Sequence, residues 1–487
     1  MFPFLNQKKT LLIFPVLFAF LLSIAPSRTT AQSAEPVREQ LLNGLKILLV
    51  SRPGDPKVML KLRLHSGAAF DTAGKTGTMA LLADLLFPDP VTFEYFKEEI
   101  DGRLLVETNH DAIDITMEGR AAEYDRIVDT LRVALVTTPL SPENVSKIRD
   151  ARVKALAEHK PTAAELADQA IAVRLLGTYP YANLAQGTAE SVGHIERADV
   201  MLARDRFLSP NNATLVIIGG VDQRRAMRAL RQLLGGWRKA EEVVPASFRQ
   251  PTQPDARTLI ASFPGAQTAE VRLATRGLAR GDRDCITATL LSLIAKDRWQ
   301  QAVGDGKVFV RHEAHTLPGL FVMGASVPTA SASKTIEAAK IVMKSLAESP
   351  VTAAELETAK SQYLSWENKV SGNDKLANDW LNIESYTLPT PAEQLRNWST
   401  LTAADLQRVA ARLFKNPTNA SVVVGNVDDL KAQMAATTFE VMGEAPPKTA
   451  EAATTSTPPP TPPKRRTFVF TPKPSPLLKS QKPTPQP

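Results

Sequence analysis

The strongest constraint on this chain is that it repeats itself. Residues 195–222 read Ile195-Glu196-Arg197-Ala198-Asp199-Val200, a helical stretch, then Pro210-Asn211-Asn212-Ala213-Thr214-Leu215-Val216-Ile217-Ile218-Gly219-Gly220-Val221-Asp222. Residues 401–428 read Leu401-Thr402-Ala403-Ala404-Asp405-Leu406, a helical stretch, then Pro417-Thr418-Asn419-Ala420-Ser421-Val422-Val423-Val424-Gly425-Asn426-Val427-Asp428. Each copy takes a capped helix into Pro-x-Asn, a β-branched strand and Gly-x-Val-Asp, and Pro210 and Pro417 stand 207 residues apart. A duplication on this scale implies two copies of one layered plan, because each apolar strand needs a covering layer.

The starts of the copies agree more loosely. Val58 to Gly67 alternates as a strand ending in glycine, and Ala269 to Gly277 does the same. Helical spacing runs over Thr162–Leu176 and Val200–Phe207 in the first copy, and over Ala353–Trp366 and Ala403–Phe414 in the second. Residues 241–257 are polar, hold Pro245, Pro251 and Pro254, and lack a long apolar period, so they read as a linker. Strand hairpins with segregated helices predict an α+β architecture: one domain over 36–240 and a second over 258–440.

Both flanks differ from this body. Residues 1–31 read as a secretory signal: Lys8-Lys9, an apolar run from Thr10 to Ala25 interrupted by Pro15, and Thr29-Thr30-Ala31 before Gln32. The run is shorter than an ordinary membrane span, and an uncleaved anchor is the alternative. From residue 441 the chain is basic and rich in proline, holding 13 of its 36 prolines. This predicts an extended, solvated tail of polyproline-II character. Within it, Lys464-Arg465-Arg466-Thr467-Phe468-Val469-Phe470 has the makings of an added strand or an acidic-surface contact. The net charge of +7 lies in these flanks, +3 in the leader and +5 in the tail, leaving the body near −1. A body of that charge is not a nucleic-acid binder by composition. A signal followed by a soluble body points to the periplasm, with membrane contact only through a retained signal or the basic tail.

Chemical motifs are few. The single cysteine, Cys285, sits in an apolar run and reads as a small buried residue. There is no Gly-x-Ser-x-Gly elbow and no phosphate loop, so no cofactor is expected. His312-Glu313-Ala314-His315 has helical ligand spacing, but its apolar alternation is that of a strand, where i and i+3 face opposite ways. His65, His110, His159 and His194 are scattered without ligand spacing.

Several blocks, in order, resemble the insulinase-like (pitrilysin-type) metallopeptidases. They are Leu42-Asn43-Gly44-Leu45-Lys46-Ile47-Leu48-Leu49; Ser66-Gly67-Ala68-Ala69-Phe70-Asp71 with Gly74-Lys75-Thr76-Gly77; Tyr179-Pro180-Tyr181; Gln186-Gly187-Thr188; and Leu208-Ser209-Pro210-Asn211-Asn212-Ala213-Thr214. The resemblance covers about residues 38–435. It implies two homologous α/β sandwich domains, of the type also seen in the mitochondrial processing peptidase, facing each other across a cavity. It also implies a zinc helix with His, Glu and His at i, i+3 and i+4, one face of a helix, where two imidazoles bind the ion and the glutamate takes a proton from its water. Here those positions hold Ala80, Ala83 and Asp84. The position of the third ligand, a glutamate, falls near Val153; Asp150 and Glu158 are acids out of register with it. An Arg and Tyr that such a family's non-zinc subunit can supply fall near Gly304 and on Phe309, with Arg298 or Arg311 as substitutes for the Arg.

The resemblance therefore implies no catalytic, metal or cofactor residue in this chain. It implies a non-catalytic homologue, the pseudo-subunit of a periplasmic zinc metallopeptidase heterodimer, whose partners are a zinc-bearing homologue and peptide substrates. The alternative is a stand-alone periplasmic peptide- or envelope-binding protein without hydrolytic activity.

Overall fold

The computed structural model describes residues 35–443 apart from 305, 370, 371 and 416. The expected signal and nearly all of the expected tail lie outside the described residues. Twelve strands among the described residues form two six-stranded sheets. The first contains β1 (Val37–Gln40), β2 (Lys46–Ser51), β3 (Lys57–Leu64), β4 (Arg103–Thr108), β5 (Ile113–Arg120) and β6 (Ala213–Gly219), in the order β1-β2-β6-β3-β5-β4. The second contains β7 (Thr258–Ser262), β8 (Thr268–Arg276), β9 (Lys307–Glu313), β10 (Leu320–Pro328), β11 (Asn419–Gly425) and β12 (Phe439–Val441), in the order β12-β7-β11-β8-β10-β9. Five strands correspond: β2 runs parallel to β6 as β7 does to β11, and the other neighbours are antiparallel. The sixth differs in origin. β1 enters from the chain start antiparallel to β2, whereas β12 arrives from the chain end parallel to β7. Sheet pairing thus continues through Val441, the residue at which the sequence suggests the tail begins.

Six helices matter for function: α1 (Thr78–Leu86), α2 (Pro142–Glu158), α3 (Ala163–Leu176), α4 (Gln223–Leu234), α5 (Cys285–Val303) and α6 (Asn373–Tyr386). The strand β6 is buried along all seven residues, as an uninterrupted apolar strand must be when both faces of its sheet are covered. One face of each sheet packs on helices of its own half. The other face takes a helix from the opposite half. Ala167, Ala170, Ile171 and Leu175 of α3 lie on Ala261, Ala274, Val322, Val422 and Val424 of the second sheet. Ala377, Trp380, Leu381 and Ile383 of α6 lie on Leu48, Val50, Met59, Val216 and Ile218 of the first.

A buried arginine fastens each exchanged helix. Arg63 on β3 makes a two-pronged bond to its cross-strand partner Asp114, 2.7 Å on each arm, and donates from Nη1 to Asn382 of α6 at 2.7 Å. Arg272 on β8 pairs through Nε with Asp168 of α3 at 2.5 Å and through Nη1 with Glu270 at 3.0 Å. The two halves are folded into each other and do not merely abut.

Candidate functional site

The entry to α1 is built by Asp71. Its carboxylate accepts from the N–H of Gly77 at 2.6 Å and of Met79 at 2.8 Å, satisfying amides that a helix start leaves free. Gly77 has φ +94°, and a side chain there would also run into Val192 and the Gln186 carbonyl. Past this turn α1 is buried except at one residue. Ala80 and Ala83 are 1% and 2% exposed, while Asp84 points outward. Across from it, on α2, Arg152 donates from Nη1 to the Asp84 carboxylate at 2.5 Å and from Nη2 to the Gln186 carbonyl at 3.2 Å and to its side-chain oxygen. Gln186 in turn donates to the Thr108 carbonyl at the end of edge strand β4, at 3.0 Å.

These residues do not fit a zinc ion. Two methyl groups offer no lone pair, and the one carboxylate already faces a guanidinium. Val153, where the family pattern puts a third ligand, packs half-buried against the first core; its neighbour Arg152 is what reaches α1. Gly304 caps α5 with φ +72°. The guanidinium groups of Arg272 and Arg311 each lie 4.9 Å from the centre of the Phe309 ring, which covers Gly324, where any Cβ would come within 2.1 Å of it. Arg298 is tied to Glu355 and Ser345, and Arg311 to Asp168 and Glu313. Among the described residues, no group of three or more His, Cys, Asp or Glu side chains is arranged to hold a metal.

A second cluster has no signature in the sequence. Both halves wall a cavity of about 180 Å³ with Arg63, His65, Asp111, Tyr181, Ser385 and Tyr386 in its lining. Asp111 is its knot. It accepts from Tyr181 Oη at 2.8 Å, Tyr386 Oη at 3.3 Å and the Thr316 N–H at 3.1 Å, with His315 Nδ1 at 3.4 Å. Burial alone would push this carboxyl up; its donors, His315 foremost, hold it below its ordinary value. The rings of His110 and His315 stand 5.4 Å apart, although 205 residues separate Asp111 from Thr316 and nothing in the sequence marks the pairing.

Ser385 and His65 approach within 3.2 Å but do not make a nucleophile and base. Ser385 Oγ donates to the Leu381 carbonyl at 2.7 Å, so it faces His65 Nδ1 as an acceptor. His65 Nε2 lies 2.9 Å from Thr214 Oγ1, and burial, then Arg63, pushes its pKa down to about 4.

His312 lies in β9, but the strand ends at Glu313, and His315 belongs to the connection that leads to β10. The Leu278 N–H donates to His312 Nε2 at 3.0 Å, which requires that nitrogen to be unprotonated. Burial, then Arg280, brings its pKa to about 4. The unfolded chain takes up this proton near pH 6.5 and the folded chain only near 4. The stabilisation by neutral His312 is therefore complete above 6.5 and is lost as pH falls towards 4, by about 3 kcal/mol. The expected NMR titration has its midpoint near 4 for the His312 ring and no inflection between pH 5 and 8; a midpoint at 6 or above would refute the accepting role of Nε2.

Residues 194–363, from the end of the first half into the second, match the family described as the peptidase M16 inactive domain. No curated protein matches the sequence. Among solved structures the chain is similar to a protease from Helicobacter pylori, with TM-score 0.71 and 16% identity over 80% of this chain and 100% of that one. It is similar to a peptidase M16 inactive domain from Pseudomonas fluorescens, with TM-score 0.72 and 17% identity over 81% and 98%. It is also similar to the periplasmic protease PqqL from Escherichia coli, with TM-score 0.69 and 15% identity over 82% of this chain but 48% of that one. At these identities the structural likeness is one of fold.

Proposed function

We propose that the chain is a member of the insulinase-like (M16) peptidases and a non-catalytic one, the pseudo-subunit of a periplasmic zinc metallopeptidase heterodimer. Its partner bears the zinc, and this chain supplies half of the wall that encloses and helps bind peptide substrates. The observation that carries the reading is the α1 face. Ala80 and Ala83 are closed into the core, and the Asp84 carboxylate is paired with the guanidinium of Arg152. The size relation supports pairing. The chain spans about half of PqqL, a periplasmic protease, and also matches the separately solved first half of it, covering 93% of that piece.

The test is a pull-down of the processed protein from native envelope extract, with zinc content and peptide hydrolysis measured on the eluate and on the isolated chain. The expected result is a zinc-containing, hydrolytic complex and an inert, zinc-free isolated chain. An inert chain that recovers no homologue but binds peptide would replace this reading with that of a stand-alone binding protein. Stoichiometric zinc and turnover from the isolated chain would sink the argument from Ala80, Ala83 and Asp84.

A further inference from the structure

The buried side of α4 carries Ala226, Met227, Ala229, Leu230 and Leu234. Its outer side is cationic. Arg224, Arg228 and Arg231 fall at i, i+4 and i+7, one stripe along a helix about 18 Å long, and all three are exposed. Arg238 and Lys239 extend the stripe beyond the helix end and are exposed too. None of these five makes an ion pair among the described residues. The sixth cation, Arg225, turns aside to Asp125 at 2.7 Å. Over residues 222–242 the carboxylates are only Asp222, Glu241 and Glu242, and Asp222 caps the helix through the Arg225 N–H. The acids at the helix Tyr124–Arg132, which packs beside α4, are already taken: Glu123, just before it, by Arg126, Asp125 by Arg225 and Asp129 by Arg132.

An apolar residue stands at the end of this stripe. Leu42, in the β1–β2 turn, is 106% exposed. The turn is fastened to the end of α4, because Asn43 Nδ2 donates to the carbonyls of Leu234 at 2.8 Å and Trp237 at 3.1 Å. Gly44 holds φ +94° against Asn211, which itself bonds Ala240 in both directions. A rigid mount thus holds a fully hydrated leucine at the end of a row of exposed cations.

We propose that this face docks on an anionic phospholipid surface, the guanidinium groups meeting lipid phosphates and Leu42 entering the boundary between headgroups and acyl chains. A row of arginines alone would serve any polyanion. The exposed leucine on a fixed turn selects the lipid surface, since a phosphodiester backbone in water gives it nothing to bury in. This inference is independent of the pseudo-subunit reading.

The test measures co-sedimentation of the processed chain, from Gln32 onward, with phosphatidylcholine vesicles and with mixed phosphatidylglycerol–phosphatidylcholine vesicles. The wild type is expected to bind the anionic vesicles and to bind neutral ones far more weakly. Each arginine near an anionic surface contributes about fivefold, so Arg224→Gln/Arg228→Gln/Arg231→Gln is expected to lose about 100-fold. Leu42→Ser is expected to lose about tenfold with the charge unchanged. All these side chains are exposed, and an unchanged circular dichroism melt identifies the folded variants. Neutralising Lys464, Arg465 and Arg466 in the same chain is expected to leave the α4 dependence intact. Equal binding to neutral vesicles, a triple variant that binds like wild type, or loss only on tail neutralisation would each overturn the proposal. So would arginine-dependent binding of duplex DNA without vesicle binding.

Discussion

Asp114→Ala is expected to lower the unfolding free energy by about 3–5 kcal/mol, a large part of what holds a typical domain together. Asp114 and Arg63 are each 6% exposed and face each other across β3 and β5 with two bonds of 2.7 Å. Removing the carboxylate leaves a guanidinium in the core whose remaining hydrogen-bond acceptors among the described residues are Asn382 and Ser385 of α6. The cost is that of an uncompensated buried charge, not the net worth of the pair. Arg63→Met/Asp114→Leu is therefore expected to recover most of the loss, because neither member is then left charged and alone. Urea unfolding followed by circular dichroism reads both. An unfolding free energy for Asp114→Ala within about 1 kcal/mol of wild type would show that the pair is solvated and does not fasten α6.

Trp380→Ala is expected to cost a further amount of the same size, about 3–5 kcal/mol. The indole is 1% exposed and is the largest side chain that α6 lays on Leu48, Val50, Met59, Val216 and Ile218. Its truncation leaves a void between a helix of one half and the sheet of the other. Trp380→Phe is expected to cost less than about 1.5 kcal/mol, since it keeps most of the volume and the indole Nε1 meets no acceptor among the described residues. The contrast is the diagnostic. Equal losses for alanine and phenylalanine would mean that the nitrogen is held by a bond, and that packing is not what the site provides.

The repeat is legible in the sequence, but its register is not. Aligning Pro210 with Pro417 offsets the copies by 207 residues, while aligning Gly219 with Gly425 offsets them by 206. The structure follows the glycines. Val216 and Ile218 face α6, and Val422 and Val424 face α3, a shift of 206 in each case. A one-residue slip turns every side chain of a strand to the other face, and both faces here are apolar, so the pattern alone has no way to choose. The helix caps drift in the same way. Asp222 caps α4, whereas the second copy caps its helix Val427–Gln433 with Asn426, two residues before the matching Asp428.

Near α1 the sequence leads to Val153 as the degenerate third position, and the residue that meets Asp84 is the one before it. Helical spacing narrows a position to one turn; the side chain that crosses to another helix is set by how the two helices pack.

By itself the sequence determines that the chain is built twice, that each copy opens on strands and takes a capped helix into a β-branched strand near its end, and that the side chains of Ala80 and Ala83 carry no donor atoms. These are properties of residue identity and of period, which survive without a partner surface. Only the tertiary structure decides that α3 and α6 are exchanged, that Arg152 neutralises Asp84, and that Asp111 gathers His315, Tyr181 and Tyr386 from both halves. The reason is that periodicity records which side of an element is apolar, not which layer will cover it. The apolar face of α3 could lie on either sheet, and polar residues hundreds of positions apart acquire their partners only once the exchange has been made.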